Sequence, residues 1–439
     1  MTDVSGNNSR EKTTQWLEDV LQTYYTYLEK EKRPPEQTGA VDVVKISVID
    51  FDIGPGFSGD GRLSTLSDLL SLKVFYKIND GEEEKTENLI VKIPPNDKSD
   101  REMAQMAQVD KREIHFYTEA AIDLQKWIKS RNADIKLSIP KCYFAKYHAQ
   151  PLQDDGDNLS DAESVLVLQD LRPLGFTMRD FNSGLTLDEA KAALKQIAIV
   201  HGTSWAFQES TGEPLDDKWD FAYRPRKAAS AYKMMIEQGF PTLAEFLDRQ
   251  KPEGPELLTK LKALHPRAAD LLCELLVPPA PPAPSCLTHM DFWCNNLLFR
   301  KRTPPDGSET ESNKNGSSEL ESDDDNGETE CQILDWQMMA ISRPTHDVAL
   351  LLFTSLTPET RHLHMDSLLQ YYWNVFQETA QKLGVEIPFD FHCIKEEYKK
   401  SQLLALLLVV GSIDLALDGS STEARLMDAL RDMARDELI

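Results

Sequence analysis

The stretch Leu287–Arg300, LTHMDFWCNNLLFR, constrains this chain more than any other. It sets two apolar runs on either side of a histidine, an aspartate, a tryptophan and two asparagines. The flanks favour buried strands, whereas Asp and Asn are poor strand formers. A polar cluster wedged there is either an awkward turn or a loop that strands hold for chemistry. The spacing favours chemistry. His289-x-Asp291 is followed by Asn296, five residues after the aspartate, and the next apolar run, CQILDWQ (Cys331–Gln337), carries Asp335. An Asp, an Asn five residues on and a second acid on the following strand is an arrangement used for phosphoryl transfer. That reaction needs held phosphates, a placed metal charge and an aligned hydroxyl more than covalent help from protein.

The rest of the chain supplies a matching layout. Residues 11–31 show helical spacing, and 41–53 reads as a strand. Four glycines follow between Gly54 and Gly61. The runs Leu70–Ile78 and Asn88–Pro95, joined by NDGEEEKTE, predict a hairpin. The second run holds Lys92 among apolar residues, where a lone lysine is costly unless paired or at an edge. One long helix is expected over 100–130, entered at Ser99 or Asp100, with Glu113 in it, 21 residues after Lys92. Ser164–Leu171 reads as a buried strand.

Beyond about residue 172 the pattern turns helical. It includes an amphipathic helix from Leu187 with His201 on its apolar side, two helices over 225–276, an extended Pro-rich spacer at Val277–Pro284, and helices after 347. The expectation is an α+β, bilobal kinase-like fold: a β-rich N-lobe over 1–170 and a mostly helical C-lobe over 171–439.

The net charge of −25 argues against a nucleic-acid groove and against binding an anionic membrane. Residues 306–330 hold ten Asp/Glu and one Lys. The stretch 303–330, almost without apolar residues, is expected to be disordered. Six scattered cysteines form no zinc-like spacing and point to a reducing compartment. The polar start MTDVSGNNSREKTTQW is no signal peptide, and Leu403–Ile413 is too short to span a bilayer. A cytoplasmic protein without membrane insertion is expected.

The segments GDGRLSTLSDLLSLKVFY, NLIVKIPP, KREIHFYTEA, LVLQDLRPLGF, IAIVHGTSWAF, LTHMDFWCNNLLF and CQILDWQMMAISRPTHDVALLLF resemble the ecdysteroid-kinase-like (CHK kinase-like) family. That family is related to choline kinases and aminoglycoside phosphotransferases. The resemblance runs from about residue 40 to 430 and implies ATP and Mg²⁺ as cofactors. By this resemblance Asp291 orients the acceptor hydroxyl and takes its proton, and Asn296 and Asp335 hold Mg²⁺. Lys92 touches the ATP phosphates and pairs with Glu113, for which Glu102 and Glu119 are rivals. Gly59, Asp60, Gly61 and Ser64 form the phosphate loop, and Gln169 to Leu171 link the lobes beside adenine. His289 orients the loop, while His201 packs in the core. Asp347 caps a helix and braces the catalytic loop. The family usually has Gly where this chain has Met290, and Phe where it has Trp336.

The implied acceptor is a steroid or another lipophilic alcohol. A choline- or ethanolamine-type amino alcohol is the second enzyme option. Met290 and the acidic insertion motivate a third: a catalytically weak, nucleotide-binding regulator.

Overall fold

A computed structural model describes residues 4–32, 43–56, 66–79, 81–147, 164–223, 225–302 and 327–439. The chain opens with helix α1 (Val4–Lys32), whose Leu17, Val20 and Leu21 are fully buried against a sheet. Strands β1 (Ile46–Pro55), β2 (Asp68–Ile78) and β3 (Lys85–Ile93) form an antiparallel meander. The hairpin pairs Tyr76 with Lys85 and Leu69 with Lys92. β3 stops before Pro94 and Pro95, which lack the N–H a ladder requires.

The single helix expected over 100–130 is broken. Asp97 caps α2 (Lys98–Ala107) by accepting the Asp100 N–H at 3.0 Å. Gln108 then takes a left-handed conformation at φ 52, and its N–H closes on the carbonyls of Ala104 and Gln105. A new helix, α3 (Val109–His115), follows; a π turn at Phe116–Ala120 leads into α4 (Ala121–Ser130). Periodicity alone cannot see this break, because a non-glycine residue in the left-handed region leaves no compositional mark. Its result is that Arg112, Glu113 and Ile114 are all buried.

Strands β4 (Cys142–Tyr147) and β5 (Ser164–Gln169) complete a five-stranded antiparallel sheet in the order β1-β2-β3-β5-β4. β5 is covered on both faces. Val165 and Val167 join the core under α1, whereas Leu166 and Leu168 join the larger core on the opposite side, as period-two alternation requires.

The C-terminal part is helical. It comprises α5 (Leu187–Thr211), entered through a Thr186–Glu189 capping box, then α6 (Leu215–Lys218), α7 (Pro225–Arg249), α8 (Gly254–Leu264) and α9 (Ala268–Leu275). The span 225–276 thus holds three helices rather than two. Pro266 sits in the 3₁₀ turn His265–Arg267 that separates the last two. Four short strands follow: β6 (Cys286–Thr288), β7 (Leu297–Arg302), β8 (Glu328–Ile333) and β9 (Ala340–Ser342). The chain ends with α10 (Thr345–Ser355), α11 (Pro358–Lys382), α12 (Phe391–Gly411), α13 (Ile413–Ala416) and α14 (Ser420–Arg435).

Most of the acidic segment expected to be disordered lies outside the described residues. Its last three residues, 328–330, belong to β8, where Arg300 bonds Glu330 at 2.7 Å and Lys301 faces Thr329. The cross-strand charge pair holds a sequence too polar to read as strand. Among the described residues no helix is long and apolar enough to cross a membrane; Leu403–Ile413 falls mostly within buried α12.

α7 crosses α12 at Gly239, where an added Cβ would lie 1.8 Å from the Val410 carbonyl oxygen. Gly239→Ala is expected to destabilise the protein by about 2 kcal/mol, the overpacking outweighing the better helix propensity. Urea unfolding checks this, and unchanged or increased stability would refute the close crossing.

Candidate active site

The polar cluster of Leu287–Arg300 is indeed held by strands, but β6 and β7 do not pair with each other. β6 pairs with β9, and β7 pairs with β8. Residues 289–296 therefore bridge two separate ribbons, and Asp335 follows β8 directly beside them. The backbone closes this arrangement where Leu334 donates its N–H to the Asn296 carbonyl at 2.9 Å.

A buried carboxylate holds the loop from below. Asp347, in the first turn of α10, accepts the N–H of His289 and that of Met290, each at 2.7 Å. It also accepts from His201 Nε2 at 3.0 Å. His201 Nδ1 in turn accepts the Tyr372 hydroxyl at 2.9 Å, so the buried imidazole is satisfied on both nitrogens. Burial alone would raise the Asp347 pKa, but the hydrogen bonds it accepts from His201 and from the His289 backbone outweigh it and hold the carboxyl below its usual range. Met290 stands at φ 65, a conformation that favours glycine, and the Asp347 bond to its N–H keeps it there. His289 donates from Nε2 to the Leu334 carbonyl at 2.7 Å and accepts the Asp291 N–H on Nδ1 at 3.2 Å.

Above this base the predicted acidic residues converge. The Asn296 side-chain amide donates to the Asp291 carboxylate and to the Asp291 carbonyl, both at 2.8 Å. Burial raises the Asp291 pKa and the Asp335 charge adds to the rise, while His289, Asn296 and Trp293 oppose it. Lys92, on β3, reaches across 243 residues to Asp335 at 3.0 Å and meets Glu113 of α3 at 2.6 Å. Glu113 is only 3% exposed. Burial pushes its pKa up to about 7 even though the Lys92 charge opposes the rise. Burial would lower the Lys92 pKa, and the two carboxylates reverse that and raise it.

The rival Glu119 instead pairs with His115 at 2.5 Å on the exposed side, and Glu102 is exposed. Gln169 ends β5 with its N–H on the Lys141 carbonyl, and the Leu171 carbonyl accepts from Leu174 and Phe176 in a tight turn between the lobes. Gly59, Asp60, Gly61 and Ser64 lie outside the described residues.

The donor set suits a hard divalent cation. With the Asn296 amide nitrogen committed to Asp291, its oxygen is the atom left to face a ligand, and Asp335 offers a second oxygen. Glu113 and Asp335 share the one Lys92 ammonium, and the Asp291 carboxylate adds its charge near Asp335, which leaves the cleft floor negative.

Sequence reasoning missed two features that brace this site. Arg112 donates from Nε to the Gln337 carbonyl at 2.6 Å and lies 4.9 Å over the Tyr223 ring. Trp336 stacks on Phe116 at 4.0 Å and packs against His289 at 4.7 Å, tying the π turn to the loop 289–296. The available signal was Arg112 beside Glu113 on a helix that must bury one face.

A family model described as the ecdysteroid kinase-like family matches residues 64–308. A second, described as uncharacterized oxidoreductase dhs-27, matches residues 318–439. No curated protein sequence matches significantly. Choline kinase from Cryptosporidium parvum Iowa II aligns with a TM-score of 0.43 at 11% identity, over 94% of this chain and 97% of that one. Plasmodium vivax ethanolamine kinase aligns with a TM-score of 0.35 at 10% identity, over 99% and 97%. The GDP complex of wild-type aminoglycoside 2'-phosphotransferase-IIIa gives 0.36 at 12% identity, over 94% and 99%.

Asp347→Asn is expected to cost about 2–4 kcal/mol, because the amide turns one buried acceptor into a donor facing other donors. The wild-type carboxylate contributes fully above its unfolded-state pKa, and that contribution is lost as pH falls through the depressed folded value. Urea titrations at pH 7 and at pH 3–4 should show the mutant's deficit shrinking in acid. A constant deficit would contradict the assigned role.

Proposed function

The chain belongs to the ecdysteroid kinase-like family, and we propose that it is an ATP- and Mg²⁺-dependent small-molecule kinase that phosphorylates a hydroxyl group. The observation carrying this reading is the convergence of Lys92 and Glu113 with the distant Asp335, beside the Asp291–Asn296 pair. Lys92 would meet the nucleotide phosphates, a reading supported by Glu113, whose ion pair holds its ammonium. Asn296 and Asp335 are the residues that would hold Mg²⁺, which supplies charge neutralisation at the phosphates.

Asp291 aligns the acceptor hydroxyl and accepts its proton late in a loose transition state, a task suited to a carboxylate steered by Asn296. The raised pKa of Asp291, from burial and then Asp335, makes it a better proton acceptor than a solvated aspartate. The acceptor class fitting the family is a steroid-like or other lipophilic alcohol; an amino alcohol of the choline or ethanolamine type is the alternative. The weak-regulator reading rests on Met290 and on the acidic insertion, most of which lies outside the described residues. The Asp347 bond that holds Met290 at positive φ favours a working loop instead.

Asp291→Asn is expected to lower kcat by about 10²–10⁴-fold while leaving the ATP dissociation constant within a few-fold of wild type. Equal turnover by wild type and mutant would eliminate this mechanism. The negative cleft floor predicts that ATP alone gives little thermal stabilisation, whereas ATP with Mg²⁺ raises Tm by several degrees. Equal shifts with and without the metal would argue against Asn296 and Asp335 as its ligands.

A further inference from the structure

The loop 289–296 is held by α10 at two places. Asp347, in the first turn of that helix, accepts the N–H groups of His289 and Met290. Ser355, its last residue, accepts the Cys294 N–H on its hydroxyl at 3.0 Å. The second anchor matters for the amide that follows. Cys294 opens the 3₁₀ turn that ends at Asn296, whose side chain then reaches Asp291.

The Ser355 hydroxyl is fully buried and its orientation is fixed by its neighbours. Thr354 gives its own hydroxyl proton to the Leu350 carbonyl at 2.7 Å. The 3.1 Å contact between the two hydroxyls is therefore donated by Ser355, which leaves its lone pairs for Cys294. One chain of bonds thus runs from the Cys294 N–H into the last turn of α10.

That last turn is locked from outside. The final carbonyls of a helix have no partner within it. The Leu185 N–H takes the Ser355 carbonyl at 2.8 Å, and Arg425 Nη1 of α14 takes the Thr354 carbonyl at 2.6 Å. Arg425 is only 5% exposed. Among the described residues its other hydrogen bonds go to the carbonyls of Phe181, Asn182 at 3.0 Å and Ser421 at 3.5 Å, and none goes to a carboxylate. Its guanidinium also lies 4.9 Å over the Phe181 ring. A buried cation normally needs an anionic partner. Here the negative C-terminal end of α10, the other carbonyls and the ring face take that role. The fork of the guanidinium joins the end of α10 to the segment 181–182, a connection that no single-donor side chain could make.

We propose that Arg425 is a positioning residue for the metal-binding half of the loop. By locking the last turn of α10 it fixes Ser355, and through Ser355 it fixes the Cys294–Asn296 turn that presents the Asn296 oxygen. The C-terminal helix α14 thereby acts on the site without contributing a ligand to it. The proposal rests on the phosphotransferase reading above, in which Asn296 holds the metal.

Two measurements test it on Arg425→Gln, Ser355→Ala and the double variant. Hydrogen exchange of segment 289–296 in the nucleotide-free protein reads the linkage itself, and each single variant should raise it about tenfold. Electron paramagnetic resonance of Mn²⁺ in the presence of the ATP analogue AMP-PNP reads the consequence. Each single variant should weaken Mn²⁺ binding about five- to tenfold, and the double variant should stay within about twofold of the weaker single one, because both act on one chain of bonds. Arg361→Gln is the control: it breaks a different contact of α14, with Asp432 at 2.8 Å, and should leave both readouts near wild type. Unchanged exchange at 289–296 in Arg425→Gln, effects of the two substitutions that multiply, or an equal response from Arg361→Gln would each overturn the proposal. Exchange that responds as expected in a protein that binds no Mn²⁺ with AMP-PNP would instead remove the phosphotransferase reading. Thermal unfolding identifies a variant that does not fold. Arg425→Lys, which keeps the charge and loses the fork, then carries the same readouts at smaller amplitude.

Discussion

A single ammonium group joins the two halves of this molecule. Lys92 leaves the sheet at β3 and is held at once by Glu113 of α3 and by Asp335 beyond β8. Charges so poorly exposed are expensive to desolvate, and such pairs often add little net stability relative to apolar packing. Their geometric effect is large, because a carboxylate that loses its cation in a low-dielectric cleft is destabilised strongly. The pairing fixes where α3 sits against the sheet and where the segment after β8 sits against both. Arg112 on the Gln337 carbonyl and Trp336 on Phe116 reinforce the same junction without adding carboxylates.

Beneath that junction, backbone conformation is controlled by a second buried charge. Asp347 gathers two consecutive backbone N–H groups and one imidazole, and these bonds fix the start of the loop that ends at Asn296. Met290 and Asp335 both adopt positive φ without being glycine. Such conformations cost free energy and persist only where the surroundings over-determine them. Here Asp347 constrains the first, and the Lys92 ion pair constrains the side chain of the second. Local strain at the site is thus tied to buried partners far away in sequence.

Several elements were legible because they repeat a simple period or end on a strong punctuator. The hairpin that carries Lys92, the buried β5 and the amphipathic α5 all appear near their expected positions. The helix over 100–130 was misread as continuous because Gln108 carries no turn signature. β8 begins earlier than its apolar run suggests because ion pairing to β7 stabilises polar strand residues. The pairing of β6 with β9, and not with its neighbour β7, is invisible in short strands whose partners lie tens of residues away.

The sequence by itself determined which residue types were available for chemistry and in what order: an acid, an amide five residues on, a second acid after the next strand, and a lysine in an apolar hairpin. Spacing could do this because a loop of fixed length between two buried strands limits where its side chains reach. Only the tertiary structure decided which of three glutamates meets Lys92 and that Asp347 rather than a local turn shapes the loop. Those outcomes depend on helix rotation and long-range contacts. They are set by burial and electrostatics between segments up to 243 residues apart, where local periodicity has no influence.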